Sequence, residues 1–289
     1  MPSQSAESSN DQLFCWEQVL KFRPLFRVTQ VFAPADLKNR LLPLHALFAL
    51  VEAAGSQYSE EDLARGKLGW WRLELLGRGT AASAHPVLRE LERSGAGEQL
   101  PADAIRALLD GAERRLEAAP PADLGELMTV CRETQEPQRA LEEAVSGLPP
   151  ETPHGLDAAD VETGLLQLAR ESTRRPAQDA FWWLPLQLLA KHGISRQDFA
   201  RSRGAGAAAD VLDEIREQAA RDVRAASDER ASPRSRPVAA RHLAVSGLLS
   251  GRQLRRVPGL APEDWSAALS TSRLGDLLAA WRTARRYAD

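Results

Sequence analysis

Apolar residues recur along this chain at three- and four-residue intervals. Ile105, Leu108, Leu109, Ala112 and Leu116 follow i, i+3, i+4, i+7 and i+11, the spacing that gathers side chains on one face of an α-helix. Leu41, Leu44, Phe48 and Val51 form a second stripe, and Val161, Leu165, Leu168 and Ala169 a third. Strand signals are nearly absent, and the good helix formers Leu, Ala, Arg and Glu dominate. Ser59 with Asp62, and Ser195 with Asp198, carry the pattern of an N-cap followed by an acid in the first turn. Pro101 sits where a helix begins. The pattern predicts helices at about 11–22, 37–54, 60–77, 84–94, 101–118, 122–145, 158–171, 179–191, 195–201, 207–226, 237–249 and 263–285. The Pro- and Gly-bearing stretches 147–156, 202–206 and 227–236 read as loops, and residues 1–10 as a disordered tail. No 20–50-residue repeat and no long linker divides the chain. The reading is therefore a single all-α domain over 11–289.

Composition narrows the classes further. With 289 residues, 43% of them hydrophobic, the chain can build its own core without a disulfide or metal staple. Its 37 basic and 40 acidic residues give a net charge of -3, so no nucleic-acid footprint emerges. Cys15 and Cys131 are too few for a disulfide framework or a CxxC zinc site. There is no run of 18 apolar residues and no signal-peptide pattern at the start, so a cytoplasmic protein is expected. One local excess stands out: 230–256 carries seven arginines (230, 234, 236, 241, 252, 255 and 256) and no acid. Interleaved with leucine and valine, it suits an anionic membrane surface or an acidic partner. The plainer reading is a basic outer face.

No Ser-His-Asp arrangement, GxSxG elbow or phosphate-cradling glycine loop appears. His154, His192 and His242 are not spaced as ligands. His45 reads as a core or rim histidine, His85 as a cap before Pro86, and the two cysteines as buried thiols. Asp210, Asp213, Glu214 and Glu217 alternate with Arg216 and Arg221 at ion-pairing distance, which marks a charged surface. Trp70–Trp71 and Phe181–Trp182–Trp183 read as core. Because helix neighbours diverge by about 100°, one tryptophan of each pair should reach a rim or a pocket wall.

The order of segments resembles the squalene/phytoene synthase family. Phe32–Leu50 is similar to that family's opening helices, His85-Pro86-Val87 to its HPV loop and Leu108–Leu116 to its I-x-G helix. Cys131 matches its YC element, Gly164–Gln167 with Leu184-Pro185 its G-x-x-L-Q … L-P segment, and His192-Gly193 its HG pair. The resemblance spans roughly 25–225. It implies a class I isoprenoid synthase bundle around a central cavity, in which two acidic clusters on facing helices hold Mg²⁺ against a diphosphate. Mg²⁺ takes hard oxygen ligands and neutralises the departing charge.

Both clusters are altered here. The first falls on Glu52, Gly55, Ser56 and Ser59, and the second on Arg170, Arg174 and Gln178. Val130 stands at the family's tyrosine and Arg115 at one of its aspartates. A unit charge 4 Å from another at an effective dielectric of 20 interacts by roughly 4 kcal/mol, and a divalent ion doubles that. Arginine at these positions therefore opposes Mg²⁺ and suits an anion directly, through its N–H fork. The plainer readings are a solvated Glu52 and a basic end to the Arg170 helix.

The resemblance is closest to a non-catalytic branch typified by the mitochondrial complex I assembly factor of phytoene-synthase-like type. That branch has a V-E-x-A sequence like Val51-Glu52-Ala53-Ala54 and an HG-x-S-x-x-D-F segment like His192–Phe199. The expectation is a bacterial binding or assembly factor without cofactor. Its partner would be a protein client or an isoprenoid or lipid ligand. The competing expectation is an active Mg²⁺-dependent prenyl-diphosphate transferase with a variant site built from Glu52, Glu60, Asp62, Glu171 and Asp179.

Overall fold

A computed structural model describes residues 4–56, 61–77, 84–116, 119–148, 157–174, 181–201, 206–229, 237–257, 260, 264–270 and 272–287. Every regular element among them is helical: α1 (Gln4–Phe22), α2 (Phe26–Thr29), α3 (Ala35–Ser56), α4 (Glu61–Leu76), α5 (Pro86–Arg93), α6 (Ala102–Arg114), α7 (Leu124–Val145), α8 (Asp157–Ser172), α9 (Leu186–Lys191), α10 (Arg196–Arg201), α11 (Ala207–Glu229), α12 (Arg241–Leu254), α13 (Trp265–Ser270) and α14 (Leu274–Ala284).

The stripes read from the sequence become two apolar cores. The first joins α1, α3, α4, α5 and α6 through residues such as Val19, Leu44, Phe48, Leu68, Leu91 and Leu109. The second joins α8, α9, α11, α12 and α13 through Leu165, Leu188, Val211, Leu249 and Trp265. α7 belongs to both: Leu127, Met128 and Cys131 pack in the second core, Leu141 and Val145 in the first.

Several boundaries differ from the sequence reading, three of them for a clear local reason. Residues 4–10, taken for a disordered tail, are the first turns of α1. Asp11, just beyond them, is buried and paired with Arg89 of α5 at 2.5 Å. The helix expected over 179–191 is only α9. Pro185 is its N-cap, because proline lacks an N–H and biases its predecessor away from helix. Phe181, Trp182 and Trp183 therefore sit in a turn and all three are buried, so the helical argument for splitting Trp182 from Trp183 does not apply. The Trp70–Trp71 pair follows it, Trp70 being partly exposed and Trp71 buried. The helix expected over 263–285 is divided into α13 and α14. The break is set where the Asp276 carboxylate accepts the Arg273 N–H at 2.8 Å and caps a new helix.

Several signals became the structures they implied. His85 caps α5, its Nδ1 accepting from the Val87 N–H at 3.2 Å. Ser195 and Asp198 cap α10 reciprocally. Gly193 has φ +65°, a left-handed C′ position that glycine adopts without a Cβ penalty.

Gly164 decides how closely α8 approaches α7. A Cβ at this position would lie 2.8 Å from Cys131 Cβ and 2.9 Å from the Cys131 carbonyl oxygen. Backbone cannot yield as a flexible side chain does, so the two helices touch only because residue 164 has no side chain. Gly164→Ala is expected to lower stability by about 1–3 kcal/mol, the usual cost of overpacking. Chemical denaturation checks this; an unchanged midpoint would show that the close approach is not required.

Candidate functional site

Four buried or half-buried polar stripes converge between the two cores, each at helical spacing. α3 contributes His45 and Glu52; α7 contributes Gln135, Gln138 and Glu142; α8 contributes Gln167, Arg170 and, just past its end, Arg174; α12 contributes His242, Ser246, Ser250 and Gln253. Polar groups out of water must find partners, and these largely find one another. Gln135 and Gln138 donate to Gln167 Oε1, Thr163 Oγ1 lies 3.3 Å from Ser250 Oγ, and Arg139 of α7 bonds Asp160 of α8 at 2.9 Å.

Arg23, in the turn between α1 and α2, is the hub. Its Nε lies 3.2 Å from Glu52 Oε1, one terminal nitrogen lies 3.1 Å from His45 Nδ1, and the other donates to Gln138 Oε1. The guanidinium carbon is 4.9 Å from the Phe48 ring centroid. Because Arg23 can only donate, His45 Nδ1 accepts; the His45 Nε2 side faces Glu142 Oε1 at 3.5 Å. Glu142 is shared, its other oxygen lying 3.6 Å from His242 Nε2. Burial alone would push the Glu142 carboxyl up, but the two histidines outweigh it and hold it well below the usual carboxylate range. Burial pushes His45 down.

Among the described residues, Arg170 and Arg174 have no carboxylate within ion-pairing distance. Arg170 donates to Gln253 Oε1 at 2.8 Å and to the Leu269 carbonyl at 2.9 Å, while its buried Nε has no hydrogen-bond partner. Burial first, then the like charges of Arg174 and Arg23, push Arg170 down to about 9 despite Glu52, so it remains protonated at neutral pH. Arg174 donates to the Lys21 and Phe22 carbonyls at 3.0 and 3.3 Å and stacks on the Phe22 ring, capping α1.

Of the residues singled out at the two clusters, Glu52, Arg170 and Arg174 meet around one cavity. Gly55 and Ser56 end α3, whereas Ser59, Glu60, Gln178 and Asp179 lie outside the described residues. Asp62, on the first turn of α4, is exposed and lines a different hollow, and Glu171 is buried. Among the described residues no three His, Cys, Asp or Glu side chains are grouped to hold a metal. Among the described residues lining the cavity the carboxylates are Glu52 and Glu142, the first facing Arg23 and the second the two histidines. The cavity measures about 70 Å³, against roughly 300–1,000 Å³ for common small-molecule pockets. A larger hollow of about 480 Å³ lies on the other side of α3, against Trp70, Trp71 and His85.

Sequence reasoning missed Arg23, His45's link to Glu142, the α7 glutamines and the α12 stripe. The available signal was polar residues repeating at i, i+3, i+7 on helices otherwise destined for burial. The acidic face of α11 is a charged surface as read: Asp213 pairs Arg216, and Glu214 pairs Lys191 and His192. Within the Arg-rich segment, four arginines have partners in the fold. Arg252 and Arg256 neutralise Asp276, Arg255 lies 3.9 Å from Glu162, and Arg241 donates to the Tyr287 carbonyl. These four therefore serve the fold, and 230–236 lie outside the described residues.

The squalene/phytoene synthase family model matches residues 25–273, and the chain belongs to that family. No curated protein sequence matches the chain significantly. Among solved structures, a dehydrosqualene synthase in complex with ligand is similar with a TM-score of 0.66 at 14% identity, covering 97% of each chain. A squalene synthase from Alicyclobacillus acidocaldarius is similar with a TM-score of 0.55 at 17% identity, covering 100% of this chain and 98% of that one. Likeness at these identities establishes the isoprenoid synthase helical fold.

Three buried groups, two in the polar layer and Asp276 on α14, make stability fall with pH below neutrality. His45 titrates below its usual 6.5, Glu142 below its usual 4.5, and Asp276 at about 2. At Asp276 burial is opposed and outweighed by hydrogen bonds from Arg252, the Arg273 backbone and Arg256. In each case the unfolded chain binds the proton first, so the contribution is complete above the unfolded value and lost as pH falls. The denaturation midpoint should be level between about pH 7 and 8 and fall steadily from about 6.5 towards 3. Glu142→Gln should flatten the limb below 4.5. A midpoint constant between pH 7 and 4 would contradict this.

Proposed function

We propose that this squalene/phytoene synthase family member is a non-catalytic binding or assembly protein, whose centre accepts an anionic group on arginine without Mg²⁺. The observation that carries the reading is the pairing of Glu52 with Arg23, beside Arg170 and Arg174. The carboxylate at the first acidic position is already committed to a guanidinium. At the second position the sign of the charge is reversed. A metal ion entering there would meet repulsion of several kcal/mol before finding a ligand.

Arginine performs the complementary task. A guanidinium offers five N–H donors and binds phosphate or carboxylate oxygens in pairs. Arg170 retains donors after its two bonds to neutral acceptors. The occupant is a phosphate of an isoprenoid or lipid, or a carboxylate of a protein client. The small volume favours entry of a head group alone, with any hydrocarbon remaining outside.

The test is incubation of the purified protein with farnesyl and geranylgeranyl diphosphates plus Mg²⁺, followed by product analysis. No squalene, phytoene or presqualene product is expected above a no-enzyme blank. Detection of any of them would establish the transferase reading in its place.

A further inference from the structure

α14 is amphipathic in the inverse sense. Its inward face is Asp276, Ala280 and Ala284, all buried. Its outward face is Leu274, Leu277, Leu278 and Trp281, which are 74, 43, 49 and 50% exposed. These four follow i, i+3, i+4 and i+7, one continuous helical stripe. Rotation of the helix would bury the leucines, and burial of apolar area would favour it. Asp276 opposes that rotation. Its carboxylate is held by Arg252 at 2.8 Å, by Arg256, and by the Arg273 backbone N–H at 2.8 Å. Turning α14 would drag a doubly paired, buried carboxylate away from two guanidiniums, which is strongly unfavourable. The fold thus locks the apolar stripe outward.

The exposed charges over 273–287 have one sign. Arg273, Arg282, Arg285 and Arg286 are all exposed, and the one acid between Arg273 and Tyr287 is the buried Asp276. Arg285 lies 4.7 Å from the Trp281 ring centroid, at the border between the apolar stripe and the basic rim. An apolar face ending in a tryptophan and rimmed by arginine has the composition of helices lying in the plane of a membrane interface.

We propose that α14 docks this protein on an anionic lipid bilayer, with Leu274, Leu277, Leu278 and Trp281 in the acyl boundary and the four arginines on the head groups. The argument for lipid over a second copy of the chain is charge: two copies meeting through this face would bring eight guanidiniums together with no exposed acid on either helix. Docking is independent of whether the central site is catalytic.

The test uses the full-length chain with vesicles of phosphatidylcholine alone or with phosphatidylglycerol, read by co-sedimentation and by sedimentation velocity without lipid. Wild type should bind the anionic vesicles at least tenfold better than the neutral ones, and high salt should weaken it. Leu278→Ser/Trp281→Ser should lower the partition at least tenfold with an unchanged circular dichroism spectrum, both residues being exposed. Arg282→Gln, which leaves the stripe intact, should lower it about fivefold. Equal binding by wild type and the double variant, or no binding to anionic vesicles, would overturn the proposal. A wild-type dimer that the double variant converts to monomer, without vesicle binding, would assign the face to a second copy instead.

Discussion

Arg23 is the joint on which the two halves of this bundle close. One guanidinium engages Glu52 and His45 on α3 and Gln138 on α7, and covers Phe48. A charge out of water is tolerated only with partners in good geometry. Arg23 therefore fixes the register of α3 against α7, and through Gln138 and Gln167 it reaches α8. The apolar cores on either side could be formed by many combinations of leucine and valine. The polar layer between them is satisfied by one arrangement.

That layer also accounts for what the centre can hold. A class I isoprenoid synthase bundle brings helices together around a cavity, and here the described part of the cavity wall carries guanidiniums, amides and the carboxylates Glu52 and Glu142. Membership of the squalene/phytoene synthase family rests on the match of its family model over residues 25–273; the chemistry of the centre follows from side chains that can change while the helices stay. Gly164, which lets α8 rest on the Cys131 backbone, preserves the packing whatever the cavity contains. The same separation holds at the C-terminus, where Asp276 sets the rotation of α14 and leaves its leucines free for another purpose.

Much of this was legible in the sequence. Helical periodicity in Ile105–Leu116 and Leu41–Val51 placed helices and core faces correctly. His85 and the Ser195–Asp198 pair announced their caps, because capping is decided within a few residues. The failures share a different origin. Pro185 was swallowed into a helix since the apolar pattern around it overrode a local breaker. Arg23 was invisible because a single arginine in a turn acquires meaning only when two distant helices meet it. The arginines of 241–256 looked like a free basic face until folding brought Asp276 and Glu162, from other helices, within reach of Arg252, Arg255 and Arg256. Long-range pairing of charges has no period, so no spacing rule detects it.

The proposed anion site in the middle of the bundle should bind its ligand directly, without Mg²⁺. Calorimetric titration with inorganic pyrophosphate, once in EDTA and once with Mg²⁺, tests it without involving a hydrocarbon tail. Saturable binding in EDTA, weakened when Mg²⁺ competes for the pyrophosphate, is the predicted result. Binding that requires Mg²⁺, or no binding in EDTA, would contradict it.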